Sequence, residues 1–187
     1  MIARMIEHDI TVAAPPDQVW ALVTRPEHIA AWFGDGRPGL MDLRSGGRIT
    51  FQHGPHGAIP GRIEAVDPPR HVAFRWVVTD PYDEEPTPAN STRVDLRLVP
   101  DGAATRVRVT EQGYDQLTLP EADRAARYRA NDQGWPGILE RLRDYSAGRA
   151  GRLWWRGAGI SGGQCPDAGP GRARAGLAGG HGLVAAG

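Results

Sequence analysis

The amino-acid sequence predicts an α+β fold, with an antiparallel β-sheet packed against one long C-terminal helix. Three observations point there. Trp135, Ile138, Leu139 and Leu142 fall at i, i+3, i+4 and i+7, one face of a helix, while Glu140, Arg141, Arg143 and Asp144 take the other. Most of the chain before this helix alternates apolar and polar residues with the period of a strand. Arg93 to Val99 and Thr105 to Thr110 flank Pro100-Asp101-Gly102, which reads as a hairpin. A lone amphipathic helix after a run of strands must bury its stripe on the sheet they form.

The elements follow in order. Residues 5–12 place Ile6, His8, Ile10 and Val12 on one face and Glu7, Asp9 and Thr11 on the other, a half-buried strand. Pro15-Pro16-Asp17 opens a helix carrying Val19, Trp20, Leu22 and Val23, with proline where its missing N–H costs nothing. After Pro26, Glu27 to Phe33 reads as a second short helix, ended by Gly34-Asp35-Gly36. Six strand segments are then expected, beginning with Leu40 to Leu43 and a second at Ile49, Phe51 and His53. Ala58 to Val66 is the third, with Gly61 marking a bulge or a close backbone approach. Val72, Phe74, Trp76 and Val78 alternate in the fourth, and the hairpin supplies the last two. Asp80 to Asn90, rich in proline and acids, is a solvated loop. In residues 120–147, Pro136 predicts a kink or restart of the helix near Gly134-Trp135, with Asp132 as its cap.

From residue 149 to 187 Gly, Ala and Arg dominate, and Leu153-Trp154-Trp155 is the one bulky cluster. The expected organisation is a domain over 1–148 and a disordered tail over 149–187, because such a tail buries too little apolar surface to offset its ordering entropy.

Composition narrows the function classes. Basic and acidic residues number 22 each, so charge balance gives no support for nucleic-acid binding. All the basic residues are Arg, which removes lysine Schiff-base chemistry and fits a GC-rich bacterial source. Cys165 is the sole cysteine, so no intramolecular disulfide or cysteine zinc site forms. No apolar run is long enough for a signal peptide or a membrane span, so a cytoplasmic protein without membrane partners is expected.

Four motifs carry a family resemblance. Ile10-Thr11-Val12-Ala13-Ala14-Pro15-Pro16-Asp17-Gln18-Val19-Trp20 resembles the opening I-x-A-P-x-x-x-V-W signature of the START-like (SRPBCC) superfamily. Pro26 to Phe33 is similar to its second-helix segment ending in Trp-Phe. Gly61 to Trp76, with Pro68-Pro69 at the turn, resembles its G-x-I/V-x-x-V-x-P-P-x-x-L-x-F-x-W strand pair. Gly134-Trp135-Pro136 with Leu139 and Leu142 resembles its terminal G-W-x-x-x-L-x-x-L. In this order they resemble the subfamily related to the C-terminal domain of the activator of heat-shock-protein-90 ATPase, over about residues 4–147. The resemblance implies a helix-grip fold (β-α-α-β6-α), a curved antiparallel sheet wrapped around the long C-terminal helix. Function is implied less sharply, because lipid carriers, cyclases and co-chaperone domains share that fold.

A helix gripped by a sheet can leave an apolar space between them. The residues expected to face it are Trp32, Phe33, Phe51, His53, Ile63, Phe74, Trp76, Trp135, Ile138 and Leu139. Large aromatics at alternate strand positions wall a cavity as readily as they fill a core, so both readings stand. Trp20, Val94 and Leu142 belong to the core. The leading expectation is a small protein that binds an apolar or amphipathic small molecule without covalent chemistry. The alternatives are a module that binds a chaperone or other protein, and a cyclase- or hydrolase-like enzyme using His53 and Tyr114, with Asp42 the one further acid/base candidate. No cofactor motif is present, and His53-x-x-His56 is broken by Gly54-Pro55 with no third ligand at matching spacing, so no metal is expected. Arg75, Arg97, Arg106 and Arg108 alternate with apolar residues and should form a charge ladder with Glu64 and Asp95 on the outer face of the sheet.

Overall fold

The computed structural model describes residues 5–54 and 57–157, with side chains described through residue 148. The chain runs β1 (Met5–Val12), α1 (Pro16–Thr24), α2 (Pro26–Trp32), β2 (Arg48–Gln52), β3 (Ala58–Asp67), β4 (His71–Val77), β5 (Ser91–Asp101), β6 (Ala104–Gln112) and α3 (Glu121–Gly157), with a single 3₁₀ turn at Tyr114–Gln116 before α3. Six strands make one open, curved, antiparallel sheet in the order β1-β6-β5-β4-β3-β2. The helices α1 and α2 carry the chain from β1 at one edge to β2 at the other. This is the expected α+β helix-grip architecture.

The strand periodicity decides which face is which. Ile6 and Val12 of β1, Ile49 and Phe51 of β2, Val72, Phe74 and Trp76 of β4, Val94, Leu96 and Leu98 of β5, and Val107 and Val109 of β6 are all buried. They form one core with Trp135, Ile138, Leu139 and Leu142 of α3 and with Val19, Leu22, Ile29 and Trp32 of the short helices. Trp20 is only half-buried against it. The outer face carries the expected charge ladder in part. Arg75 and Arg93 both reach Glu64, at 3.0 and 3.1 Å, and Arg93 and His71 converge on Asp95, at 2.8 and 2.7 Å. Arg108 pairs with Glu7, while Arg106 sits between Asp9 and Asp101. The Asp80–Asn90 loop is tied down rather than merely solvated: Glu85 bridges Arg48 and Arg62 at 2.7 and 2.9 Å.

Several local expectations change, and one with two readings, Gly61, is resolved. Leu40–Leu43 is not a strand; Met41 makes one bridge to Ile49. Gly39 is pressed so closely on β2 that a Cβ there would lie 1.8 Å from the Thr50 carbonyl, and bonds such as Thr50 N–H to Leu40 O hold the segment without building a ladder. Gly61 is a close-approach site, where a Cβ would meet the Arg75 carbonyl at 2.7 Å and Ile49 at 2.8 Å; the bulge lies further on, between Ile63 and Ala65. Finally, α3 is continuous through Pro136 rather than restarting there. Pro136 removes the bond to the Asp132 carbonyl, a cost of about 3 kcal/mol in an isolated helix. The buried Trp135, Ile138 and Leu139 fasten the turns on both sides of it to the sheet. Asp132 is not a cap; its carboxylate lies 2.8 Å from Nε2 of His8 on β1. The helix extends through residues 149–157, which the sequence assigns to the tail. The side chains of Leu153-Trp154-Trp155, the remainder of the tail and His56 lie outside the described residues.

Candidate functional site

The interior between α3 and the sheet is closed. Trp32, Phe33, Phe51, Phe74 and Trp135 meet there around a void of about 10 Å³, no more than one water. The rings hold one another: Phe33 lies edge-on to Phe51 at 5.0 Å, tilted to Trp76 at 5.6 Å and parallel to Trp135 at 6.0 Å.

Space appears instead at the end of this aromatic cluster. A cleft of about 610 Å³ opens between the C-terminal end of α2 with its Gly34-Asp35-Gly36 turn, the end of β2 from Phe51 to Gly54, and one face of α3. Phe33, Phe51 and Trp76 make its apolar wall. The α3 face is Gly134, Gly137, Ile138 and Arg141, at i, i+3, i+4 and i+7, with Gln133 beside it. Gly137 is a helical residue whose absent Cβ would meet nothing within 4 Å.

The cleft has few charges. Asp35 accepts hydrogen bonds from the side chain and backbone of Arg37 and, at 3.0 Å, from the Gly54 backbone. The Arg37 guanidinium, above all, holds this carboxyl well below its ordinary range. Arg141 folds over the end of α2, its Nε–H donating to the Trp32 carbonyl at 3.0 Å. Among the described residues no carboxylate lies within ion-pair distance of its guanidinium. His53, just past β2, is half-buried and lines both the cleft and a second void of about 10 Å³.

Behind the wall lies a feature that sequence reasoning missed. Glu111 of β6 is fully buried. Its Oε1 accepts from the Trp76 indole at 3.1 Å, the Thr92 hydroxyl at 2.6 Å and the Asn131 amide at 3.0 Å; its Oε2 accepts from the Trp135 indole at 2.7 Å. One carboxylate thus anchors a ring of the cleft wall, a ring of the packed interior and α3. The hydroxyl of Tyr114, fully buried, lies beside Glu111 and Asn131 but outside good hydrogen-bond geometry to either. Burial first, and then the negative charge of Glu111, push its phenol far above the ordinary tyrosine value. The signal was present: continuing the alternation of Thr105, Val107 and Val109 by one step places Glu111 on the buried face.

Residues 13–147 match the family described as Activator of Hsp90 ATPase homolog 1-like protein. The chain belongs to this family. Three solved structures share the fold of this Hsp90-activator-like domain. Protein MLL2253 from Mesorhizobium loti is 21% identical with a TM-score of 0.61, covering 76% of this chain and 96% of its own. CalU16 from Micromonospora echinospora is 25% identical with a TM-score of 0.55, covering 81% and 82%. Protein NE0264 from Nitrosomonas europaea is 18% identical with a TM-score of 0.61, covering 79% and 97%. No curated protein is significantly similar.

Within this activator-like domain the predicted site residues divide. Phe33, Phe51, His53, Trp76 and Ile138 line the cleft. Trp32, Phe74 and Trp135 line the small interior void with Phe33 and Phe51. Ile63 and Leu139 are buried in the core and line neither space. Of the acid/base candidates only His53 lines the cleft; Tyr114 and Asp42 are absent from its lining, and Asp42 pairs with Arg44 at 2.9 Å. Arg141, which the helix periodicity left on the polar side, and Gly137, which it assigned to neither face, line the cleft. Among the described residues no helix is long and apolar enough to cross a membrane.

Proposed function

We propose that this protein binds an apolar or amphipathic small molecule non-covalently, as a cytoplasmic carrier or sensor, in the cleft at the end of α3. The observation that carries this reading is a space of about 610 Å³ walled by Phe33, Phe51, Trp76 and Ile138. Its size falls in the range of small-molecule sites, and its chemistry follows their pattern of an apolar lining with a few polar groups. The binding position is the mouth of the grip, since the void behind it, about 10 Å³, admits no ligand.

Gly137 supplies the test. A glycine inside a helix costs about 1 kcal/mol relative to alanine or leucine, yet a Cβ here would meet nothing within 4 Å. Gly137→Leu is therefore expected to fold, with equal or higher stability, and to fill the cleft. Titration with the uncharged dye Nile red should give saturable binding in the parent protein and none in the variant. Undiminished dye binding in a folded Gly137→Leu protein would place the ligand elsewhere.

Family membership favours a second reading, a module that engages a chaperone. It predicts that the ATPase rate of a bacterial Hsp90 rises on addition of this protein, and an unchanged rate counts against it.

A further inference from the structure

We infer that the ligand of this cleft is anionic: an aromatic molecule bearing a carboxylate or similar group, selected by Arg141. This rests on the cleft being the binding site, and it goes further by naming what the site discriminates.

Among the described residues, the charged side chains lining the cleft, apart from His53, are Asp35 and Arg141. They differ in state. Asp35 is matched by Arg37 and by the Gly54 N–H, so its charge is already answered within the protein. The Arg141 guanidinium has a partner only at Nε, the uncharged Trp32 carbonyl, among the described residues. That contact orients the planar group and leaves both terminal nitrogens, with their four N–H bonds, for an external acceptor. A guanidinium fixed in this way suits bidentate pairing with a carboxylate.

The neighbours of Arg141 set the rest of the ligand. On α3 it follows Gly134, Gly137 and Ile138 along one stripe, so its charge stands beside a stretch of helix without side-chain bulk. Facing that stretch are Phe33, Phe51 and Trp76, whose ring centroids lie 5.0–5.8 Å apart. An aromatic wall opposite a glycine surface leaves a slot suited to a flat ring system, which can stack or meet the wall edge-on. With the anion placed on Arg141, the body of such a molecule lies against that wall.

The experiment compares two fluorescent probes of the same size, 1-pyrenecarboxylate and the uncharged 1-pyrenecarboxamide, by titration at low salt. In the parent protein the carboxylate should bind about tenfold more tightly, the scale of a charge-assisted pair at a partly solvated site. Arg141→Gln should reduce that preference to about twofold or less while leaving carboxamide affinity unchanged. Arg141→Lys should retain part of the preference, which a purely structural role of the Trp32 contact would not allow. Equal affinities in the parent protein, or a full preference in Arg141→Gln, overturns the anion assignment and leaves cleft binding standing. Binding of neither probe overturns both.

Discussion

Replacing Glu111 with glutamine preserves the volume of a fully buried side chain and changes only what its two terminal atoms can do. With the amide oxygen where Oε1 stands, the bonds from Trp76, Thr92 and Asn131 survive. The new NH₂ then faces the Trp135 indole N–H across 2.7 Å, two donors in contact. The flipped orientation rescues Trp135 but loses the Trp76 bond and obliges the Thr92 hydroxyl and the Asn131 amide to turn from donors into acceptors, so the first, which keeps three bonds as they stand, is preferred. An indole can only donate, and no rotation recovers the lost bond. A buried donor left without an acceptor costs about 1–3 kcal/mol, and the Tyr114 hydroxyl beside the site can accept one proton of the new amide, so a net loss of about 2 kcal/mol is expected. For a chain of this size that lowers Tm by about 4–8 °C. Urea unfolding followed by circular dichroism should show a reduced midpoint with an unchanged slope. The specific prediction is coupling. In a Trp135→Phe background, which lacks the indole N–H, Glu111→Gln should cost less than about 0.5 kcal/mol. If the two substitutions are additive, or if Glu111→Gln alone is neutral, the carboxylate is not the acceptor on which these rings depend.

Three further perturbations test the supports of the site. Gly61→Ala would bring a Cβ to 2.7 Å from the Arg75 carbonyl and 2.8 Å from Ile49, and the crowding should cost about 1–3 kcal/mol in the same urea assay; a neutral result would mean β2 and β3 can separate freely. Trp32→Phe removes the indole bond to the Leu22 carbonyl, 2.9 Å long, that ties α2 to α1, and should cost about 2 kcal/mol while weakening Nile red binding through the displaced Phe33; unchanged stability would show that the tie is dispensable. Asp95 gives a pH dependence: burial opposes its charge, but the hydrogen bonds from Arg93 and His71 prevail and hold the folded carboxyl below its ordinary value. Its stabilisation is therefore fully present above the unfolded value of about 3.9 and fades as pH falls from there through the lower folded value. Asp95→Asn should be less stable than the parent at neutral pH, with the gap closing below about pH 4; a gap that stays constant with pH would refute the linkage.

The architecture was legible because it rests on periodicity. Val107 and Val109, Phe74 and Trp76, and Trp135 to Leu142 each declare a face, and the one-sided helix had only one sheet to cover. The ends and exceptions were not legible by the same means. Leu40–Leu43 has a strand's composition, but its pairing fails because backbone contact at Gly39 and a turn at Gly47 set the spacing. Pro136 signals a kink or a restart, and tertiary packing overrides the restart. In the site, alternation correctly turned Phe51 and Trp76 inward, yet it could not tell a ring that fills the core, such as Phe74, from one that walls a cleft, because that depends on where α3 crosses the sheet. Gly137 and Arg141 carried no apolar signal at all. Their place in the cleft follows from helix geometry only once the partner surfaces are known.

These placements change what the grip implies. A ligand enclosed between helix and sheet would have to compete with five aromatic rings already in contact, and opening that space would expose them and break the bonds around Glu111. A ligand at the mouth meets no such cost. The wall it touches is fixed from behind by a buried carboxylate, and the surface opposite is a helix that gives up side-chain bulk at Gly134 and Gly137. Rigidity on one side and vacancy on the other favour binding without rearrangement, since a preformed site spends little of its interaction energy on ordering. Glu111 and Gly137 thereby become separable controls. Loosening the first should lower stability and weaken binding together, whereas filling the second should abolish binding in a protein at least as stable as its parent. A single variant set measured for both properties distinguishes a preformed cleft from one that opens only by disrupting the core.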